Sequence, residues 1–246
     1  MALDVIRDVR DAVTAAEEAR AAYPGSLWWR GNAKAGWTLV PKVHRPPKGA
    51  PNREQNLAYH FQAQAGTRYA GCPPRADYVA WLFLMQHYGL ATRLLDWTWS
   101  VLTALFFAVN DPLYDTEVGA LWMLRPMVLN ATQGYRLGLP VPEAVGTFFQ
   151  TAFSPQPGHP TGLILAVATH EVDVRMMVQL SAFTIHDTDK PLEGLVADHS
   201  QFLRKYEILA SAKPHIRSQL ELLGINSANL FPDLDHLARD LNSTIP

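Results

Sequence analysis

The chain has 246 residues, of which 48% are hydrophobic and 18% charged, enough apolar material for a sizeable core and too much for a disordered polypeptide. A formal charge of -2 excludes a global cationic field that would hold nucleic acid or anionic lipid unspecifically, while leaving room for a local basic patch. One cysteine, Cys72, excludes an internal disulfide framework and a cysteine-based metal cluster, and no apolar run approaches the ~20 residues that cross a bilayer; a cytoplasmic protein is the expectation.

Leu3, Val5, Ile6, Val9, Val13, Ala16 and Ala19 recur near helical spacing, which predicts one amphipathic helix stopped by Pro24-Gly25. Charges scattered from Asp4 to Arg20 leave this segment without the apolar core of a secretory signal. Residues 27–31 read as a short strand ending at a glycine where the backbone turns or lies close to something. Residues 41–51 form a loop, the most cationic part of the chain. Helices are predicted over 53–65 and 76–88, the second buried on most sides and ended by Gly89. A short strand over 92–97 and a helix over 102–109 follow. Residues 120–124 and 163–169 are strand-like apolar runs, with a less regular one over 177–185, and 152–160 is a loop rich in proline and glycine. Late helices are predicted over 199–206, 214–222 and 233–241. Neither a linker nor a repeat interrupts this order, so one α+β domain is expected, with an N-terminal helix over 1–25 ahead of the body over 26–246.

The segment from Gln86 to Ser100 lodges His87, Arg93, Asp96, Thr98 and Ser100 between the two most apolar stretches of the first half. Polar groups at the edge of a core must be hydrogen-bonded or they cost stability, so the segment is either a bracing network or a site. Arg30, between Trp29 and Gly31, is placed either to fork around a phosphate or carboxylate, or to pair internally with an acid beneath tryptophan. Thr98 and Ser100 precede a helix, where capping is the commonest duty of a hydroxyl. Asp96 is expected to fix Arg93 or His87, and His87 reads as a base or a structural donor. No phosphate-loop, dinucleotide-binding or His-Glu-x-x-His pattern occurs. Asp187, Asp189, Glu193, Asp198 and His199 read as a solvated acidic loop.

Trp28-Trp29-Arg30-Gly31, the later Leu39-Val40-Pro41, Arg45 and the stretch from His87 to Ala108 together resemble the FRG domain, a bacterial and phage-associated family named for its Phe/Tyr-Arg-Gly motif. The resemblance is strong over 26–109 and extends through 179–184 to 223–225 and 231–234. Ala91 and Val101 stand where the family pattern has proline, which removes rigid backbone without deleting a reactive group.

The FRG domain is itself similar to the ADP-ribosyltransferases whose motif is arginine, serine and glutamate. That resemblance implies a central split mixed or antiparallel sheet flanked by helices, with NAD as substrate and no metal. Arg30-Gly31 matches the first element, and Thr98-Trp99-Ser100 the second, with Ala104 and Phe107 on the following helix. The glutamate has no clean match. Gln179 is the leading candidate, expected on a late strand, with Glu171 and Glu207 as fallback carboxylates. The implied catalytic set is Arg30, Thr98, Ser100 and Gln179, and the implied NAD-binding set is Arg30, Gly31, His87, Tyr88, Trp97 and Thr98, with Trp99 as a further stacking surface. The implied role is a toxin or anti-phage effector that moves ADP-ribose to a protein or nucleic-acid acceptor, or cleaves NAD, with an antitoxin or regulatory partner and no membrane.

Two competing readings remain. In one, the chain is a catalytically inactive nucleic-acid- or protein-binding module, with Lys42, His44, Arg45, Lys48, Arg53, Arg68 and Arg75 as a cationic strip and Trp37, Tyr59 or Tyr69 as a stacking platform. In the other, the polar segment is only the bracing of a structural or sensor domain.

Overall fold

Seven strands build one mixed sheet in the computed structural model, which describes residues 4–46, 52–135, 138–169 and 174–244. In chain order the elements begin with β1 (Val5–Ile6), α1 (Val9–Ala22), β2 (Trp28–Asn32), α2 (Arg53–Ala65), α3 (Tyr78–His87), β3 (Leu94–Thr98), α4 (Val101–Val109) and β4 (Gly119–Leu124). They continue with α5 (Pro126–Thr132), α6 (Gly146–Gln150), β5 (Ile164–Val167), α7 (Val174–Val178), β6 (Ser181–His186), β7 (Leu203–Ile208), α8 (Lys213–Leu222), α9 (Ser227–Leu230) and α10 (Leu234–Thr244). The strand order is β1-β7-β4-β2-β3-β6-β5, with only the β1–β7 pair parallel. The chain is therefore a single α+β domain with a mixed sheet flanked by helices, as expected.

Most predicted elements fall within a few residues of their expected bounds, whereas α5, α6 and α9 had no predicted counterpart, and three departures have physical causes. The single N-terminal helix is divided: the Asp8 side chain accepts the Asp11 N–H and starts α1, while Val5 and Ile6 pair with Glu207 and Ile208 at the sheet edge. The helix predicted over 199–206 is replaced by β7, which is bonded on one side to β4 and on the other to β1. Those partners are distant in sequence, so local spacing carries no trace of them. Residues 177–185 do not form one strand. The chain leaves α7, turns through Leu180 at a left-handed φ of 48°, and enters β6 at Ser181.

Most of the helices that pack on the sheet cover one face in two separate groups, while Leu129 of α5 packs on the other. Trp29, Leu121, Met123 and Tyr206 pack with Ala12 and Ala15 of α1, Ala104 and Ala108 of α4, and Ile216 of α8. Leu94, Leu165, Phe183 and Ile185 pack instead with Leu82 and Phe83 of α3 and Phe148 and Phe149 of α6. Both groups share a face, because Trp29 pairs with Thr98 and residues two apart along β3 alternate back to the same side. Trp28, Leu95, Trp97 and Trp122 form the core of the opposite face with Leu39 and Phe202.

Between the two helical groups the sheet is split. β2 makes five residue pairs with β4, and β3 makes five with β6, but β2 and β3 meet only at Trp29 and Thr98. Beyond that pair β2 lies directly against α4. A Cβ on Gly31 would overlap the Ala104 carbonyl oxygen and stand 2.7 Å from the Ala108 nitrogen, so only glycine permits this approach.

Candidate active site

The split opens into a cleft of about 690 Å³. Arg30 and Gly31 of β2 form one wall, and Asp96, Trp97 and Thr98 of β3 form the other. Arg30 reaches across the gap. Its Nη1 donates to the backbone carbonyl of Asp96 at 2.6 Å and stands 3.9 Å from Asp96 Oδ2. The guanidinium thus replaces ladder bonds that the diverging strands no longer make, which satisfies a carbonyl that would otherwise be orphaned. Burial lowers the Arg30 pKa to about 10, with Asp96 raising it and Arg45 lowering it further, so the group remains charged at neutral pH. Its buried Nε has no hydrogen-bond partner.

Lys42, Arg45 and Arg175 join Arg30 in the lining, where Asp96 is the one carboxylate among the described residues. Each added cation is tethered through its own donor. Lys42 Nζ donates to the Gly89 carbonyl at 2.6 Å, Arg45 Nε to the Val40 carbonyl at 3.0 Å, and Arg175 Nη1 to the His87 carbonyl at 3.2 Å. The Arg175 guanidinium also lies over the Phe231 ring at 4.6 Å. A chain that is weakly acidic overall thus concentrates four cations in one concave place, which suits an anion.

The sequence-derived candidates divide between cleft and scaffold. Thr98 lines the cleft, donates its hydroxyl to the Gln179 carbonyl at 2.7 Å, and accepts the Ser100 N–H at 3.0 Å. Gln179 also lines it, but from the turn between α7 and β6 rather than from a strand, with Nε2 donating to the Leu230 carbonyl at 2.8 Å. Trp97 borders the cleft while its indole N–H donates to Thr184 Oγ1 at 3.2 Å, so most of it is core.

Ser100, His87 and Tyr88 are not brought into the cleft. The Ser100 hydroxyl accepts the Thr103 N–H as the N-cap of α4. His87 and Tyr88 stand at the end of α3, where Gly89 turns the chain at a φ of 76°; Gly89 and Leu90 face the cleft, while the two rings border a smaller hollow beside Tyr69. Trp99 packs edge-on against Trp28 at 5.9 Å, outside the lining. Glu207 is an exposed residue of β7, which β4 separates from β2, and it too lies outside the lining. Glu171 and Lys48 lie outside the described residues. Of the cationic strip, Lys42 and Arg45 reach the cleft with Trp37, whereas His44, Arg53, Arg68 and Arg75 do not.

The bracing expected of residues 92–97 centres on Arg93. Its guanidinium donates to Glu54 Oε2 at 2.9 Å, to Asp187 Oδ1 at 3.0 Å and to the Thr151 hydroxyl, all buried. Asp187 is therefore a buried anchor rather than a solvated loop carboxylate, and its other oxygen pairs with His159 Nδ1 at 2.6 Å. Asp96 fixes neither Arg93 nor His87: its Oδ1 accepts from Gln86 Nε2 at 2.8 Å. Sequence reasoning missed Asp96 as a cleft residue, although the period of two along β3 places it on the same face as Thr98. Arg175 and Phe231 carried no comparable local signal.

Among the described residues, no group of three or more His, Cys, Asp or Glu side chains is arranged to hold a metal ion. No described helix is long and apolar enough to cross a membrane. Fold and cleft together define an α+β protein with a cationic pocket at a split in its sheet. Residues 25–117 match the FRG domain, a stretch from just before β2 to just before β4 that contains Arg30, Asp96 and Thr98. No curated protein and no solved structure matches the chain.

Proposed function

We propose that the protein breaks the nicotinamide–ribose bond of NAD and passes ADP-ribose to a protein, nucleic-acid or water acceptor, on an ADP-ribosyltransferase-like scaffold. The observation that carries this reading is Arg30, held across the split of the sheet with a buried donor still unmet. A dinucleotide brings a pyrophosphate that Arg30, Lys42 and Arg45 are placed to neutralise, and the guanidinium forks suit phosphate oxygens. The volume of about 690 Å³ falls within the ~300–1,000 Å³ of small-molecule sites. Gly31 lets α4 pack directly on β2 behind Arg30, Thr98 fixes the turn beside the cleft, and Trp37 offers an exposed ring for stacking. Gln179 offers an amide to a ribose hydroxyl but no charge. A toxin or anti-phage role under a regulatory partner belongs to the same reading and is supported by the FRG match.

A second reading is favoured by Trp37, 43% exposed and in the lining with Lys42 and Arg45. That combination also suits a single-stranded nucleic acid bound without turnover. Nicotinamide release from NAD by the full chain, with protein and nucleic-acid acceptors supplied, separates the two. Release that falls at least about a hundred-fold in Arg30→Ala is expected, in keeping with the loss of a preorganised charged contact. Salt-sensitive oligonucleotide binding without release favours the module, and release that Arg30→Ala leaves unchanged removes Arg30 from the site.

A further inference from the structure

Four cations in one cleft suit a pyrophosphate but oppose the positive charge that develops on a ribose as its nicotinamide departs. The chemistry therefore needs an anion beside the reacting carbon, and Gln179 is neutral. Asp96 is the carboxylate that the described lining supplies. Its attachment differs from that of a closed ion pair. Oδ1 accepts from Gln86 Nε2 at 2.8 Å, and Gln86 Oε1 accepts the Thr92 hydroxyl, so the amide is locked with its donor end toward Asp96. Arg30 spends its short bond on the Asp96 backbone carbonyl and stays 3.9 Å from Oδ2. One carboxylate oxygen is anchored, the other is free of any short bond, and the side chain is 58% exposed.

We propose that Asp96 is a catalytic residue, whose Oδ2 accepts a hydrogen bond from a hydroxyl of the nicotinamide ribose and whose charge stabilises the cation forming at C1′. The assignment rests on the NAD-cleaving reading and deepens it by naming the anionic group. The C1′–N bond breaks heterolytically, and its electron pair goes to the pyridinium nitrogen, which leaves as neutral nicotinamide. C1′ then takes a lone pair from the oxygen of an acceptor hydroxyl or of water, and the proton of that oxygen passes to Asp96 Oδ2 and on to solvent.

Asp96→Asn tests this in the full chain, because an asparagine oxygen still accepts from Gln86 and the exposed position tolerates the exchange. Nicotinamide release from NAD is measured beside NAD affinity, read by tryptophan fluorescence, and beside the denaturation midpoint. The expected result is release at least about a hundred-fold slower, NAD affinity unchanged or tighter, and an unchanged midpoint. Release that persists in Asp96→Asn at the unsubstituted rate overturns Asp96 and leaves the reading of the cleft standing. Loss of NAD affinity in proportion to release also overturns it, since the carboxylate then serves only to position Arg30. Absence of release from the unsubstituted chain overturns the reading of the cleft and Asp96 with it.

Discussion

Arg30 spans a gap that backbone hydrogen bonds close elsewhere in the sheet, and the same side chain brings positive charge into that gap. Both duties anticipated for it, internal pairing and display to a ligand, are compatible because a guanidinium has five donors and one of them holds the Asp96 carbonyl. Ser100 illustrates the opposite outcome, a polar residue wholly used by local structure. Ser100→Ala is expected to lower the unfolding free energy by about 1 kcal/mol, with Ser100→Asp retaining most of it, as urea denaturation of the three proteins would show. Neither role is visible from composition. The arginine–glycine pair and the Thr98-Trp99-Ser100 order are legible in the chain, but which hydroxyl caps and which lines the cleft depends on side-chain direction after folding.

The contact between β2 and α4 decides where the sheet splits. Gly31 meets the helix backbone itself at the Ala104 carbonyl and the Ala108 nitrogen, so neither atom can swing aside as a side chain would. Gly31→Ala is expected to cost about 3 kcal/mol, at the upper end of overpacking penalties, because β2 must lift from α4. Ala104→Gly is not expected to rescue it, since the clash is with backbone; denaturation midpoints of the single and double variants check both statements. Helices α2, α3, α4 and α8 and strands β2 to β5 were legible because apolar spacing, prolines and caps mark them locally. The strand β7 was not, because its stability comes from β1 and β4, which lie far away in sequence.

At the scale of the whole molecule, buried His186 and partly buried His44 are expected to make stability fall in mild acid. Burial holds the His186 imidazole well below its ordinary value, with His44 and Arg30 adding to the effect, and burial lowers His44 as well. Both are neutral in the folded protein near pH 7, while in the unfolded chain they titrate near pH ~6.5. As pH falls through that value the unfolded state binds protons that the folded state refuses. Stability is therefore complete above about pH 6.5 and declines below it, by up to ~1.4 kcal/mol per pH unit for each histidine, until the folded-state values are reached. Urea midpoints taken from pH 7.5 to 5 are expected to drop, and His186→Gln to flatten that drop; a profile that His186→Gln leaves unaltered contradicts the assignment.

Composition, helical spacing and the Trp28-to-Gly31 and His87-to-Ala108 motifs by themselves determined the fold class, most of the helices and the stretch of chain that matches the FRG domain. Those properties are local, carried by residues close together in sequence. The opening of the cleft is not. It arises because β2 and β3 part after a single pair, because Lys42 and Arg45 come over from a loop, and because Arg175 and Gln179 are anchored by Phe231 and Leu230. Only the tertiary structure brings these groups to face one another, since the forces between them act through space and leave no periodicity in the chain.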